Sequence, residues 1–191
     1  FFYTPTRQTA IPLRLVGSEM CIRDRHINGL KNRMPSSRPD WTDYFLGLAK
    51  VASQRSHDIH TQHGCVITDK NHRILGVGYN GFPKGMDDAK LPTSRPEKYD
   101  WIIHAERNAL SNCVVRPDDG TAYVTGQCCN DCILALHQEG IKKVIMWDVH
   151  GTKLFNEKEQ NKFDLFVKQS KIEIIKTKPN LSWLQDLCGV L

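Results

Sequence analysis

The sequence predicts an α/β fold, a three-layer α/β/α sandwich in which helices cover both faces of a mixed five-stranded sheet. Five short runs of aliphatic and β-branched residues have the length and pattern of strands, and amphipathic helical patterns separate the later ones. Strands joined through helices of this length pair in parallel and leave helices on both faces. A short polar turn joins the first two runs, so we expect an antiparallel hairpin at one edge.

The composition indicates one globular domain. The chain has 191 residues, of which 40% are hydrophobic and 25% charged, as is usual for a protein with a single core. We expect residues 34–191 to form this domain, with Met34 as its natural start. Residues 1–33 show no sustained periodicity, and we interpret them as a non-native or disordered N-terminal extension. The alternative is a basic interaction arm.

Charge and cysteine usage narrow the function classes. The formal net charge is +5, but residues 1–33 carry +4 of it, which leaves the domain almost neutral. We therefore expect no stable nucleic-acid partner. No segment is long and apolar enough to suggest a membrane span, and Arg14 interrupts the short apolar stretch near the N-terminus. Three of the seven cysteines crowd into residues 128–132, a pattern that indicates metal binding in a reducing cytoplasm.

The first helix is predicted to begin after Asp40, which is a suitable N-cap residue. Apolar residues then recur at helical spacing from Trp41 to Ala52, so this helix should bury one face. We predict that residues 65–68 and 73–79 form the two strands of the hairpin. A glycine- and proline-rich stretch follows as far as residue 103, and we interpret it as a loop that forms a wall or lid over the site.

The remaining elements alternate. We predict helices over residues 104–113, 129–140, 157–168 and 181–188, and strands over residues 121–125, 143–147 and 171–175. Gly140 should end the second of these helices as a C-cap. In that helix, Cys129 and Cys132 are three residues apart and fall on the inward face.

Two short motifs carry the predicted chemistry. His104 and Glu106 stand two positions apart, and Cys129 and Cys132 have the spacing at which two thiolates bind one metal ion. One imidazole and two thiolates are the three-ligand set of a catalytic zinc site that leaves one position for water. Glu106 would then move the proton of that water. Cys128 offers an alternative partner in the thiol pair, although we favour Cys129 with Cys132 because they keep the two-residue spacer.

The same motifs are the signature of zinc-dependent nucleobase deaminases, namely His-x-Glu followed by Pro-Cys-x-x-Cys. Three further motifs make the sequence resemble deoxycytidylate deaminases in particular: residues 38–41 with Tyr44 and Phe45, residues 78–83, and residues 104–109. The resemblance extends from Arg38 to about Trp147. Two positions depart from the family: Cys128 stands where proline is usual, and residues 63–65 read His-Gly-Cys where Val-Gly-Ala is common.

The resemblance implies the fold and the reaction. We expect the cytidine deaminase-like fold and the hydrolytic deamination of dCMP to dUMP, in which zinc-bound hydroxide attacks C4 and Glu106 shuttles protons as ammonia leaves. It also implies that the Ala105 backbone amide and the segment of Gly64 and Cys65 hold the base. Asn80 would hydrogen-bond the deoxyribose.

Other features remain open. Arg55, His60 and Lys84 are candidate cations for the 5'-phosphate, and bidentate geometry favours Arg55. Residues 83–103 lack cysteine and histidine, so we expect one zinc per subunit. The resemblance also implies homo-oligomers, with a hexamer favoured, and dCTP and dTTP as effectors. Alternative functions are a deaminase acting on dCTP, a nucleoside or nucleic acid, and a structural zinc-binding module.

Overall fold

A computed structural model describes residues 38–148 and 155–184. The predictions about residues 1–33, and about residues 185–188 in the second half of the predicted C-terminal helix, lie outside the described residues. The chain divides into two units, and the second begins at Pro39. No helix within the described ranges is long and apolar enough to span a membrane.

The described unit contains four helices and five strands in the predicted order. The helices are α1 (Trp41–Ser53), α2 (Ala105–Ser111), α3 (Asn130–Gln138) and α4 (Glu157–Ser170). The strands are β1 (Gly64–Thr68), β2 (Ile74–Tyr79), β3 (Thr121–Val124), β4 (Lys143–Trp147) and β5 (Glu173–Thr177). Two short 3₁₀ turns, Asp88–Lys90 and Glu97–Asp100, lie in the long loop between β2 and α2.

The sheet is mixed, with strand order β2-β1-β3-β4-β5. Strand β1 pairs antiparallel with β2 and with β3, whereas β3–β4 and β4–β5 are parallel. The antiparallel hairpin and the parallel crossovers are therefore both confirmed. Strand β5 begins two residues later than predicted because Lys171 adopts a left-handed conformation, with φ 57°, at the end of α4.

Helices cover both faces of this sheet, so the predicted three-layer architecture is confirmed. Alternate residues of each strand enter two separate cores, as the two-residue period of a strand requires. Val66 and Tyr123 pack with Phe45 of α1 on one face. Ile67 and Val124 pack with residues of α2, α3 and α4 on the other face. The two helices that carry the predicted motifs therefore lie on the same side of the sheet.

Two glycines allow the helices to approach the sheet closely. A Cβ atom at Gly64 would overlap the backbone of Ala49 in α1, and one at Gly78 would overlap the backbone of Ala105 and Ala109 in α2. Because α2 begins at Ala105, the contact at Gly78 sets the depth at which the His104 and Glu106 motif sits against the sheet. Glycine here serves close packing.

Candidate metal centre and active site

The start of α2 and the start of α3 bring the predicted metal ligands together. His104 is the N-cap residue of α2, Cys129 is the N-cap residue of α3, and Cys132 lies in the first turn of α3. The two helices contact each other on one face of the sheet. His104 and Cys129, which are 25 residues apart in sequence, therefore lie side by side because the two helix starts meet.

The geometry of this cluster fits a tetrahedral metal. The Sγ atoms of Cys129 and Cys132 each lie 3.4 Å from Nδ1 of His104. All three ligand atoms lie within 4.8 Å of one another. A tetrahedral zinc with ordinary bond lengths would separate a sulfur and a nitrogen ligand by about 3.6 Å. The donor set of two thiols and one imidazole is also the set that zinc prefers, so the residues present fit this metal.

Hydrogen bonding prepares one of the two thiols as a thiolate. The neighbouring Cys132 thiol and then His104 lower the pKa of Cys129 to about 4. The pKa of Cys132 is raised because it supplies the proton of that hydrogen bond. The hydrogen bond to Cys129 raises the pKa of His104. Cys129 is thus the donor of this cluster that is already favoured as an anionic ligand before a metal binds.

Glu106 lies beside this cluster but is not one of the three converging donors. Its side chain is 5% exposed in the first turn of α2. Burial raises its pKa, although hydrogen bonds from its own backbone N–H and from the Cys128 thiol oppose that effect. A buried carboxyl group with a raised pKa can both accept and return a proton near neutral pH. This is the property that the predicted proton shuttle requires.

Cys128 lies outside the three-residue cluster. Its side chain is fully buried, its backbone N–H lies 3.2 Å from Sδ of Met146, and its thiol is hydrogen-bonded to Glu106. Burial raises the pKa of this thiol well above its ordinary value. Of the two consecutive cysteines, Cys129 is therefore the one that faces His104, which agrees with the favoured spacing.

Two of the residues predicted to hold the base, Cys65 and Ala105, lie next to Glu106. Gly64 and Cys65 begin β1 and are buried, and Ala105 is fully buried at the start of α2. Cys65 interacts electrostatically with Glu106, and burial raises the pKa of its thiol. The structure thus places Cys65 and Ala105 beside Glu106, whereas Gly64 packs against the backbone of Ala49 in α1.

Asn80 holds the segment that enters β1. Its Oδ1 accepts the backbone N–H of His63 at 2.7 Å, and its Nδ2 donates to the carbonyl of Thr61 at 2.8 Å. The backbone N–H of Asn80 also donates to the carbonyl of His63 at 3.1 Å. One proton of the side-chain amide remains for a ligand.

The three phosphate candidates lie on the surface. Arg55, His60 and Lys84 are all exposed, and within the described ranges their side chains form no hydrogen bond or ion pair.

A buried ion pair, which no local pattern in the sequence predicts, holds the long loop in place. Nζ of Lys98 lies 2.5 Å from Oδ2 of Asp58, and the two side chains are only 2% and 5% exposed. The other carboxylate oxygen of Asp58 accepts the backbone N–H groups of His60 and Thr61. A second bond runs from the Arg95 guanidinium to Oγ1 of Thr61.

Beneath this loop lies a cavity of about 210 Å³. It is lined by the Asp58–Lys98 pair together with His57, Ile59, Phe82, Thr93 and Ile102. The His57 ring stacks on Phe82 with their centroids 4.2 Å apart. The loop from residue 81 onward is thus fastened against residues 57–61, beside the entrance to β1.

The fold and the site together define a class of protein, the zinc-dependent deaminases of nucleobases. The defining features are the mixed sheet and, at the starts of two helices, an imidazole, two thiols and a buried carboxylate. Comparison with known proteins specifies the branch. The chain belongs to the cytidine and deoxycytidylate deaminase family, whose zinc-binding region matches residues 39–147. The match covers α1 to β4 and includes every residue of the cluster.

Curated relatives agree with this assignment. The chain is 46% identical over 106 residues to a probable deoxycytidylate deaminase of Caenorhabditis elegans, covering 52% of this chain and 53% of that protein. It is 38% identical over 113 residues to human deoxycytidylate deaminase, covering 56% and 64%. It is 37% identical over 124 residues to the deoxycytidylate deaminase of Mycobacterium phage D29, covering 57% and 95%. The chain therefore spans about half to two thirds of the length of the animal relatives.

Solved structures show the same fold. The dCMP deaminase of cyanophage S-TIM5 in its apo form is 26% identical, with a TM-score of 0.57, over 73% of this chain and 99% of that one. The same enzyme in complex with dCMP and dUMP gives a TM-score of 0.58 at 25% identity, over 73% and 98% of the two chains. The predicted cytidine deaminase-like fold is confirmed.

Proposed function

We propose that this protein catalyses the hydrolytic deamination of dCMP to dUMP with release of ammonia, which supplies the precursor of dTMP in pyrimidine nucleotide metabolism. The observation that carries the proposal is the buried Glu106 beside the cluster of His104, Cys129 and Cys132. The names of the relatives support dCMP as the substrate, and the cyanophage enzyme was solved with dCMP and dUMP bound.

In this proposal His104, Cys129 and Cys132 hold one zinc ion per subunit. The chemistry that zinc supplies when bound is a Lewis acidity that makes water acidic enough to react near neutral pH. The two thiolates and the neutral imidazole balance the charge of the dication, and the two helices fix the three donors in place.

Glu106 moves the protons. Its carboxylate accepts a proton from the attacking water and delivers it to the ring nitrogen N3, then takes the second proton from the new hydroxyl group at C4 and delivers it to the departing amine. A C–O bond forms at C4, the C–N bond breaks, and water plus the amino group become the carbonyl oxygen and ammonia. Burial of Glu106 keeps bulk water away from these transfers and raises the pKa of its carboxyl group.

Substrate recognition extends outward from Glu106. The Ala105 backbone amide and the segment of Gly64 and Cys65 would hold the base, and the remaining amide proton of Asn80 would face the deoxyribose. Arg55, His60 and Lys84 remain the candidates for the 5'-phosphate. A metal centre rich in thiols suits a reducing compartment, so we place the reaction in the cytoplasm.

Family resemblance also underlies proposals about assembly and control. We propose a homo-oligomer, with a hexamer favoured, in which dCTP activates and dTTP inhibits. Light scattering of the purified protein tests the assembly. Rates measured at limiting dCMP, with either nucleotide added, test the regulation, and unchanged rates with both would exclude it.

The substrate assignment is tested with a panel. Zinc-loaded protein is incubated with dCMP, CMP, dCTP, deoxycytidine and single-stranded DNA, and the uracil product and ammonia are quantified. We expect the highest kcat/KM with dCMP. A higher kcat/KM with any other member of the panel would replace dCMP as the substrate while leaving the deamination chemistry unchanged.

A further inference from the structure

A histidine outside the metal cluster occupies the approach to the site. His63 precedes β1 directly, and its carbonyl accepts the backbone N–H of Asn80, so strand pairing extends by one residue to include it. Side chains alternate along a strand, which places His63 on the same face as Cys65, about 6.6 Å farther along. Because Cys65 lies beside Glu106, His63 lies one step outward from the carboxylate.

The half-buried His63 ring is held in one orientation. It packs on Gly126, where any Cβ atom would collide with the imidazole. Its Nδ1 lies 3.4 Å from Oγ1 of Thr125. That hydroxyl already accepts the backbone N–H of Gly64 at 2.9 Å, so its own proton is available to Nδ1. With Nδ1 as the acceptor, a neutral imidazole carries its proton on Nε2.

In this tautomer, which we assign to His63, Nε2 is a hydrogen-bond donor. Among the residues that the structure describes, none hydrogen-bonds Nε2 of His63. Asn80 holds the backbone of His63 through two hydrogen bonds. Its Oδ1 accepts the backbone N–H of His63, and its own backbone N–H donates to the His63 carbonyl. A donor held this firmly, without a protein partner and beside the site, is suited to a ligand oxygen.

We propose that Nε2–H of His63 donates to the sugar hydroxyl of the nucleotide and thereby selects the substrate, an inference that rests on the proposed function. In a cytosine nucleotide the sugar is attached at N1, across the ring from C4. When C4 of the base lies at Glu106, the His63 side chain, two residues before Cys65 along the strand, faces the sugar. His63 then acts in substrate selection, while Glu106 performs the proton transfers.

The test compares dCMP with 2',3'-dideoxycytidine 5'-monophosphate, which lacks the hydroxyl. Wild type should prefer dCMP in kcat/KM by roughly 3- to 10-fold, the range expected for one hydrogen bond. His63→Leu should reduce this preference to the part that Asn80 supplies, whereas His63→Gln should retain more of it because its amide N–H reaches a similar position. His57→Leu is the matched control, since that imidazole stacks on Phe82 away from β1, and it should keep the full preference.

Zinc content and thermal unfolding establish that each variant is folded and loaded. A preference for dCMP that is undiminished in His63→Leu would overturn the inference. A loss of kcat/KM that falls equally on both substrates would also overturn it, because His63 would then act only on the structure. If zinc-loaded wild type deaminates neither nucleotide, the proposed function fails, and this assignment fails with it.

Discussion

Two consecutive cysteines, Cys128 and Cys129, have different roles because they point in different directions from the start of α3. The Cys129 thiol faces His104, whereas the Cys128 thiol is buried against Glu106. Sequence spacing favoured Cys129 but could not exclude Cys128, since the orientation of a residue before a helix depends on tertiary packing. Met146 of β4, which lies against the backbone N–H of Cys128, is part of that packing.

This difference predicts the metal content of two alanine variants. Cys129→Ala should lose most of its zinc, because only two of the three donors remain. Cys128→Ala should keep a full complement of zinc and lose about 1 to 2 kcal/mol of stability, because a buried side chain is truncated. Metal analysis by mass spectrometry measures both variants. Zinc loss in Cys128→Ala with retention in Cys129→Ala would reverse the assignment of the ligands.

At the scale of elements, the ion pair of Asp58 and Lys98 holds the long loop between β2 and α2 in place. Burial acts to raise the pKa of Asp58, but the Lys98 ammonium and the backbone N–H groups of His60 and Thr61 outweigh it and hold this pKa below its ordinary value. A carboxyl group with a depressed pKa stabilises the fold above the pKa of the unfolded chain. Its contribution is lost as the pH falls through the folded pKa.

The ion pair therefore predicts a dependence of stability on pH. Near neutral pH, Asp58→Asn should lower the free energy of unfolding by about 3 to 5 kcal/mol, because the buried Lys98 is left unpaired. The difference in the free energy of unfolding between wild type and variant should narrow as the pH falls below about 4, the ordinary pKa of an aspartate in the unfolded chain, and should be lost once the pH falls through the lower folded pKa. Urea unfolding at a series of pH values measures the free energy of unfolding of both proteins. The double variant with Lys98→Met should recover part of the loss, and a gap that widens in acid would contradict this account.

The contact between β2 and α2 provides a second prediction for the elements. Gly78→Ala places a methyl group against the backbone of Ala105 and Ala109, so α2 must shift away from the sheet. We expect a stability loss of about 1 to 3 kcal/mol, as for other overpacked sites, and a lower kcat because α2 carries Glu106. Val77→Ala is the neighbouring control, since Val77 is partly exposed, and it should change stability by less than about 1 kcal/mol.

At the scale of the whole molecule, local patterns were enough to predict the sheet, the four described helices and the cluster of His104, Cys129 and Cys132. Each strand and helix has its own periodicity, and the two metal motifs have their own spacing. Contacts between distant polar residues could not be predicted in this way. Asp58 and Lys98 are forty residues apart, and the loop that carries Lys98 has no periodic pattern from which a partner could be inferred.

The site also depends on the whole sheet. Residues from β1, α2 and α3 reach one point because β1 lies between β2 and β3 and because α2 and α3 pack on the same face. The proposed division of labour follows from this arrangement. In this proposal the cluster at the helix starts would bind the metal, Glu106 would transfer protons, and the segment that enters β1 would contact the nucleotide.

The most direct test of this account is the rate of dUMP formation from dCMP by wild type and by Glu106→Gln, with zinc content measured on the same samples. We expect both proteins to bind zinc equally. The variant should be slower by roughly 10²- to 10⁴-fold, because an amide cannot carry the proton. A zinc-loaded Glu106→Gln protein that forms dUMP at the wild-type rate would contradict the account.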